Sequence, residues 1–253
     1  MKLYISVVSH GHGNIISELD VLGPLSEYFT VVIKSNTDDK KLLNYCFKYP
    51  KIILINMSYG LGFGENNNFV YKYCAQFLNI ELQDYFLILN PDVYFSVNQC
   101  ELLVDNIRLY NHDFITINLF KDFDKKVHDN SIRRFPNLFI LMRKFFRLET
   151  NYNIDKKIIK SPMTVDWAAG SFLCIKSDIY ADLNGFDEQY FMYYEDVDLC
   201  YRANSNGINL IYLPFIHAIH LGAFKNRKIF SRHNYWYIKS VLRFLTISYL
   251  SNK

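Results

Sequence analysis

Three observations predict an α/β fold built on a mostly parallel central sheet flanked by helices. Apolar runs of strand length occur at Leu3–Val8, Thr30–Lys34, Ile52–Asn56 and Tyr85–Leu89. Between them, Ile15–Tyr28, Lys40–Lys48 and Asn67–Leu78 carry apolar residues at helical spacing. Strands alternating with helices imply parallel neighbours joined by crossovers. All four runs also end in small or polar residues: Ser9-His10-Gly11, Ser35-Asn36-Thr37, the segment Asn56–Asn68, and Asn90-Pro91-Asp92. In such sheets ligands bind in the crevice beyond the carboxyl ends of the strands, so these four segments are candidate site loops.

Size and composition bound the alternatives. The chain has 253 residues, half of them hydrophobic and 17% aromatic, enough for one large domain with a sizeable core. Five cysteines (Cys46, Cys74, Cys100, Cys174, Cys200) are odd in number and lack metal-ligand spacing, which fits reduced thiols in a cytoplasmic compartment. The first nine residues are broken too soon by His10-Gly11-His12-Gly13 to be a signal peptide. No apolar run approaches the roughly 18 residues that span a bilayer. Phe114–Phe120 and Lys156–Ile159 are compatible with either strand or loop.

Two of the strand ends carry chemistry. Tyr59-Gly60-Leu61-Gly62-Phe63-Gly64-Glu65 places three alternating glycines before the cluster Asn66-Asn67-Asn68, which is suited to capping the following helix. Glycines permit close backbone approach, and a helix N-terminus favours an anion such as a diphosphate. The loop departs from the dinucleotide fingerprint, which follows the first strand. At Leu87-Ile88-Leu89-Asn90-Pro91-Asp92 an apolar strand ends in a carboxylate. Either a cation or donor-rich ligand meets Asp92, or it is a turn residue after proline.

The segment Gly185–Arg202 is the most informative in the chain. A turn at Asn184-Gly185 leads into Tyr190-Phe191-Met192-Tyr193-Tyr194 and then into Glu195, Asp196 and Asp198. Carboxylates against an aromatic wall suit a general base, since desolvation and like-charge crowding both raise a carboxyl pKa. Helical spacing puts Glu195 and Asp198 on one face and Asp196 on another, so they need not share a role. The plainer reading is an acidic first helical turn.

The net charge of +3 conceals an asymmetry: Leu199 to Lys253 holds eight basic residues and no acid, leaving residues 1–198 at −5. The acid-free stretch Ser131–Leu148 also mixes Arg133, Arg134, Arg143, Lys144 and Arg147 with bulky apolar residues. Both segments fit helices lying on an anionic membrane surface or packed on the core, and having two favours the membrane. Nucleic acid is not expected as a partner, since the acidic half repels phosphates and no nucleic-acid motif occurs.

Taken together, the glycine-rich Asn loop, Asn90-Pro91-Asp92, Asp166-Trp167-Ala168-Ala169-Gly170-Ser171 and Gly185–Arg202 resemble the family-2 glycosyltransferases of the GT-A (Rossmann-like) fold. Within these they are most similar to bacterial O-antigen rhamnosyltransferases, with the likeness running from Ser6 to about Phe244. The resemblance implies a GT-A domain over residues 1–222 and a basic, amphipathic helical extension over 223–253. It implies Ser9, His10 and Asn36 at the nucleotide base and ribose, Gly64 and Asn67 along the nucleotide-sugar, and Asn90 with Asp92 at the DXD position. Asp92 matches the metal-binding aspartate, and with Asn90 in place of the first carboxylate the resemblance implies a Mg²⁺ or Mn²⁺ site that is weaker or depends on bound substrate. Asp196 matches the catalytic base; Trp167, Gly170, Ser171 and Glu195 fall in the acceptor or donor pocket. His220 stands as a further metal or diphosphate contact or as a structural histidine. The expected reaction is inverting transfer of L-rhamnose from dTDP-β-L-rhamnose to an undecaprenyl-diphosphate-linked saccharide in O-antigen or other surface polysaccharide synthesis. The enzyme is expected to be cytoplasmic and peripheral on the inner leaflet of the bacterial inner membrane. A UDP-hexose or UDP-N-acetylhexosamine donor, or a non-catalytic carbohydrate-binding scaffold, are the alternatives.

Overall fold

A computed structural model describes residues 1–137, 140, 153–222 and 232–250. The first half of the chain forms the expected parallel unit. Strands β1 (Leu3–Ser9), β2 (Thr30–Ser35), β3 (Ile53–Ile55) and β4 (Tyr85–Leu89) lie in the spatial order β3-β2-β1-β4, with every pairing parallel. Strand order therefore reverses at β1, and this switch point opens a crevice beyond Ser9 and Leu89.

The sheet then becomes mixed. Past β4 come β10 (Phe172–Lys176), β6 (Phe114–Phe120), β11 (Leu210–His220) and the short β5 (Val93–Tyr94), with β8 (Met163–Val165) also on β11. Strand β10 runs antiparallel to both β4 and β6, whereas β6 and β11 are parallel. Strands β7 (Ile132–Arg133) and β9 (Trp167–Ala168) form a separate pair beside the crevice.

Alternation along β1 separates two cores. Leu3, Ile5 and Val7 pack with Ile16, Leu42 and Leu103, under α1 (Gly13–Leu19), α3 (Lys40–Lys48) and α5 (Val97–Tyr110). Tyr4 faces the other way, with Val70, Phe86, Val197 and Phe244, under α4 (Phe63–Phe77), α7 (Glu195–Ser205) and α8 (Arg232–Leu250). The remaining helices are α2 (Leu22–Ser26) and α6 (Ser177–Asp182). The C-terminal helix is integral to the second core: Phe244 is fully buried, Ser240 Oγ donates to the Met192 carbonyl, and Arg243 pairs with Asp187.

Two local expectations are corrected, and two segments left open are resolved. Ile15–Tyr28 is two helices, because Asp20 turns left-handed at φ 44° and its backbone N–H closes α1 on the Ile16 carbonyl. Helix α4 begins at Phe63 with Gly62 as its N-cap, so Asn66, Asn67 and Asn68 lie inside the helix and do not cap it. Phe114–Phe120 is a fully buried strand, and Lys156–Ile158 is a 3-10 turn. Of the basic segments, residues 138, 139, 141–152 and 223–231 lie outside the described residues, as does the proposed boundary at Ala223.

Candidate active site

Ser9, His10 and Asn36, the residues expected at the nucleotide, meet at the ends of β1 and β2. The Asn36 N–H donates to the Ser9 carbonyl at 2.7 Å, continuing the β1–β2 ladder past the strands. The Asn36 side chain then pins the glycine loop: its amide donates to the Leu61 carbonyl and its oxygen accepts from the Leu61 N–H. His10 Nδ1 lies 3.4 Å from the same amide and is exposed at the mouth of the crevice. Lys34, fully buried on β2, donates to the Ser35 and Ser58 carbonyls and braces this loop. Burial pushes the Lys34 ammonium below its ordinary pKa.

The glycines serve close packing. A Cβ on Gly62 would lie 2.6 Å from the Phe191 carbonyl oxygen, and one on Gly64 would lie 2.7 Å from Phe186 Cβ. These contacts press the head of α4 against Gly185–Arg202, and the Phe63 N–H donates to the Phe191 carbonyl there. Gly64 therefore faces Phe186 and Glu195 rather than open space. Asn67 is fully buried, accepting from Ser6 Oγ and donating to the Phe63 carbonyl, so it positions α4 on β1 without lining the crevice. Asn68 reaches across to Phe186, Glu188 and Tyr180 and holds the Gly185 turn in place. Sequence reasoning missed that role because a run of asparagines looks alike until each one's depth is known.

Beyond β4, the half-buried Asn90 donates its backbone N–H to the Ser171 carbonyl, which ties the two loops together. Asp92 is buried, and its carboxylate lies 3.5 Å from His220 Nε2 at the end of β11. His220 Nδ1 is bonded at 2.6 Å to Asp129. Burial alone would lower the imidazole pKa, but the bonds and charges of Asp129 and Asp92 outweigh it and push the pKa up to about 9. Asp129 sits in a charged loop with no motif to mark it.

These groups fit a divalent cation once His220 gives up its Nε2 proton, because an imidazolium has no lone pair to offer. Asp129 orients the imidazole and leaves Nε2 toward Asp92, an arrangement common at metal-binding histidines. Two ligand atoms held side by side on one ion at about 2.1 Å stand roughly 3.0–3.5 Å apart. The observed 3.5 Å separation meets that need. Among the described residues, no group of three or more His, Cys, Asp or Glu forms a complete cage, so other ligands would have to come from substrate and water.

The acid pair lies at the same end of the sheet. Tyr193 and Tyr194 both adopt left-handed backbone, φ 71° and 67°, which is strained for tyrosine and turns the chain directly into α7. Glu195 is buried, its Oε2 without a described protein partner. Burial, and after it the neighbouring Asp196 charge, drive its pKa well upward. Asp196 is half-buried and accepts from the Gly170 N–H at 3.0 Å and the Val197 N–H at 2.8 Å. Burial raises its pKa, opposed by those two N–H groups. Of the two, Glu195 is driven further upward, while the two N–H donors on Asp196 oppose its rise. Asp198 points away, bonded to Arg202 Nε at 2.7 Å. Ser171 Oγ is buried without a described partner, whereas Trp167 is committed to structure, its indole N–H on the Arg134 carbonyl and its ring beneath the Arg133 guanidinium.

The chain is 36% identical over 244 residues to rhamnosyltransferase WbbL of Escherichia coli K12, covering 96% of this chain and 92% of that protein. This is a GT-A glycosyltransferase of the rhamnosyltransferase family. The enzyme is also 26% identical over 184 residues to an N-acetylglucosaminyl-diphospho-decaprenol L-rhamnosyltransferase of Mycobacterium tuberculosis, covering 68% of this chain and 60% of that protein. Among solved structures, GalNAc-T7 with UDP, GalNAc and Mn²⁺ superposes at TM-score 0.66 and 14% identity, over 96% of this chain and 47% of its own. Staphylococcus aureus TarS 1–349 with UDP-GlcNAc superposes at 0.58 and 15%, over 89% of this chain and 62% of its own. The enzyme thus spans about half the length of the GalNAc-T7 chain, and these two likenesses bear on the fold alone. No family model matches the chain.

Proposed function

We propose that the enzyme transfers L-rhamnose from dTDP-β-L-rhamnose, with inversion, to a hydroxyl of an undecaprenyl-diphosphate-linked saccharide, with Asp196 as general base. The observation that carries this reading is the position of Asp196 at the head of α7, its carboxylate fixed by the Gly170 and Val197 N–H groups beside the buried Glu195. An acceptor hydroxyl loses its proton as it attacks the anomeric carbon, and a positioned base typically contributes about 10²–10⁴-fold. The raised pKa of Asp196 brings it nearer the pH at which a base is most effective. Gly170 sets the carboxylate's orientation, and a Cβ there would lie between the Phe63 ring and Asp196 Cβ.

The donor's nucleotide would lie against Ser9, His10 and Asn36, with Gly64 and Asn67 shaping the loop behind it. Asp92 and His220 would hold Mg²⁺ or Mn²⁺ at the diphosphate. That ion, when bound, neutralises the charge that builds on the leaving diphosphate. The rhamnosyl donor is supported by the names of the E. coli and mycobacterial relatives, and the lipid diphosphate acceptor by the mycobacterial one.

Attachment to the inner leaflet is part of the same reading. No described helix is long and apolar enough to cross a membrane. Along α8, however, Tyr235, Ile238, Leu242 and Tyr249 are exposed at spacings of one helical face, with Lys239 beside them. An apolar stripe flanked by basic residues suits the interface of an anionic bilayer.

The test is Asp196→Asn, assayed for transfer and for donor-induced thermal stabilisation by dTDP-rhamnose, UDP-glucose and UDP-N-acetylglucosamine, each with and without Mn²⁺. Transfer should be abolished while dTDP-rhamnose still stabilises the variant. Residual transfer near the wild-type rate would remove Asp196 as base; stabilisation of the wild type by a UDP-sugar alone would replace the donor.

A further inference from the structure

A cavity of about 340 Å³ lies between the C-terminal half of β6, the bulged middle of β11 and the 3-10 turn at Lys156. Its size falls at the lower end of the range of about 300–1,000 Å³ usual for ligand pockets. Three lysines, Lys156, Lys157 and Lys160, line it with His128 and the rings of Phe120 and Phe215, and none of its lining residues is acidic. Phe215 is half-exposed at its rim.

Lys156 is the unusual member. It is only 4% exposed, its Nζ donates to Ser131 Oγ at 2.7 Å, and it lies 5.7 Å from the centre of the Tyr212 ring. No described carboxylate forms an ion pair with it, and a buried ammonium without an ion-pair partner is costly unless an anion joins it. Burial pushes its pKa down to about 7, against the pull of the Asp129 charge. An arriving anion would restore full protonation.

The cavity adjoins both halves of the active site. The Ser131 carbonyl accepts from the Ala169 N–H, one residue before the Gly170 that orients Asp196. His128 immediately precedes Asp129, the partner of His220. In the sheet, β6 and β11 lie beyond β4 and β10, on the side away from the nucleotide crevice at β1 and β2. The donor's diphosphate already has Asp92 and His220, which leaves these cations for a second anion.

We propose that this cavity is a diphosphate subsite that holds the diphosphate of the lipid-linked acceptor, an inference resting on the acceptor class given above. Three cations suit two phosphate groups, and the flanking Phe120 and Phe215 rings suit the first carbons of an apolar tail. The diphosphate would thereby anchor the acceptor while its sugar reaches Asp196.

Two arms test it. In the first, inorganic pyrophosphate with EDTA is added to the full chain and thermal unfolding is followed for the wild type, Lys157→Gln/Lys160→Gln and Asp92→Asn. The wild type and Asp92→Asn should be stabilised alike, with the shift at least halved in the lysine variant. A full shift in the lysine variant, a shift lost only in Asp92→Asn, or no shift in the wild type would each overturn the subsite. In the second arm, the lysine variant should raise KM for the diphosphate-linked acceptor about tenfold, the loss expected for roughly 1.4 kcal/mol of contact, without raising KM for the nucleotide-sugar. A rise in the nucleotide-sugar KM instead would give the cavity to the donor and refute the proposal. The pyrophosphate arm needs no turnover, so an absence of rhamnosyl transfer would sink the functional reading while leaving the cavity to be judged separately.

Discussion

Replacing Asn68 by alanine should disable the enzyme from behind its active site. The buried amide makes four hydrogen bonds: Nδ2 donates to the Phe186 carbonyl at 2.8 Å and to Glu188 at 3.0 Å, and Oδ1 accepts from the Tyr180 hydroxyl at 2.7 Å and the Phe186 N–H at 2.9 Å. Truncation strands the fully buried Tyr180 hydroxyl and both backbone groups of Phe186. Each unpaired buried group costs about 1–3 kcal/mol, and three that share one small void, into which water can enter, sum to roughly 3–5 kcal/mol. For a chain of this length 1 kcal/mol lowers Tm by about 2–4 °C, so Asn68→Ala should unfold roughly 6–20 °C below the wild type. Because the Gly185 turn leads to Glu195 and Asp196, kcat should fall at temperatures where the variant is still folded, with donor stabilisation largely kept. Thermal melts by circular dichroism and steady-state kinetics at about 20 °C provide the check. A Tm within about 2 °C of the wild type would refute the reasoning, because it would mean that the four bonds are replaced by water at no cost.

Two further outcomes are expected. Asp92→Ala should weaken dTDP-rhamnose stabilisation in Mn²⁺ much more than in EDTA; equal weakening in both would make Asp92 a direct sugar contact. Glu195→Gln should raise stability in a pH-dependent way. The folded pKa of Glu195 lies well above its unfolded value, so the protonated form is the one the fold favours. Its contribution is intact at acid pH and is lost as pH rises through the folded pKa. The glutamine variant should therefore match the wild type near pH 4 and exceed it increasingly toward about pH 8. A Tm difference constant across that range would mean that Glu195 is not held neutral.

Much of the fold was legible in the chain because local periodicity and burial agree. Lys40–Lys48 and Tyr85–Leu89 match their elements residue for residue, and β1 and β2 extend only one residue past the apolar runs. Ile15–Tyr28 failed because its apolar spacing continues through a left-handed Asp20 that spacing does not register. The family was legible through Gly185–Arg202 and Asn90-Pro91-Asp92, where chemistry demands residue types in a fixed order.

The sequence by itself determined the class of protein and the strand ends that build the crevice. These follow from patterns within a few residues, where backbone period and residue type act directly. Only the tertiary structure decided which groups face one another: Asp129 on His220, Gly170 on Asp196, Gly64 against Phe186, and three adjacent asparagines sent to three buried tasks. It also decided how strongly burial raises the pKa of each acid of the pair, since depth of burial and distance to neighbouring charge arise only when segments far apart in sequence close over one another.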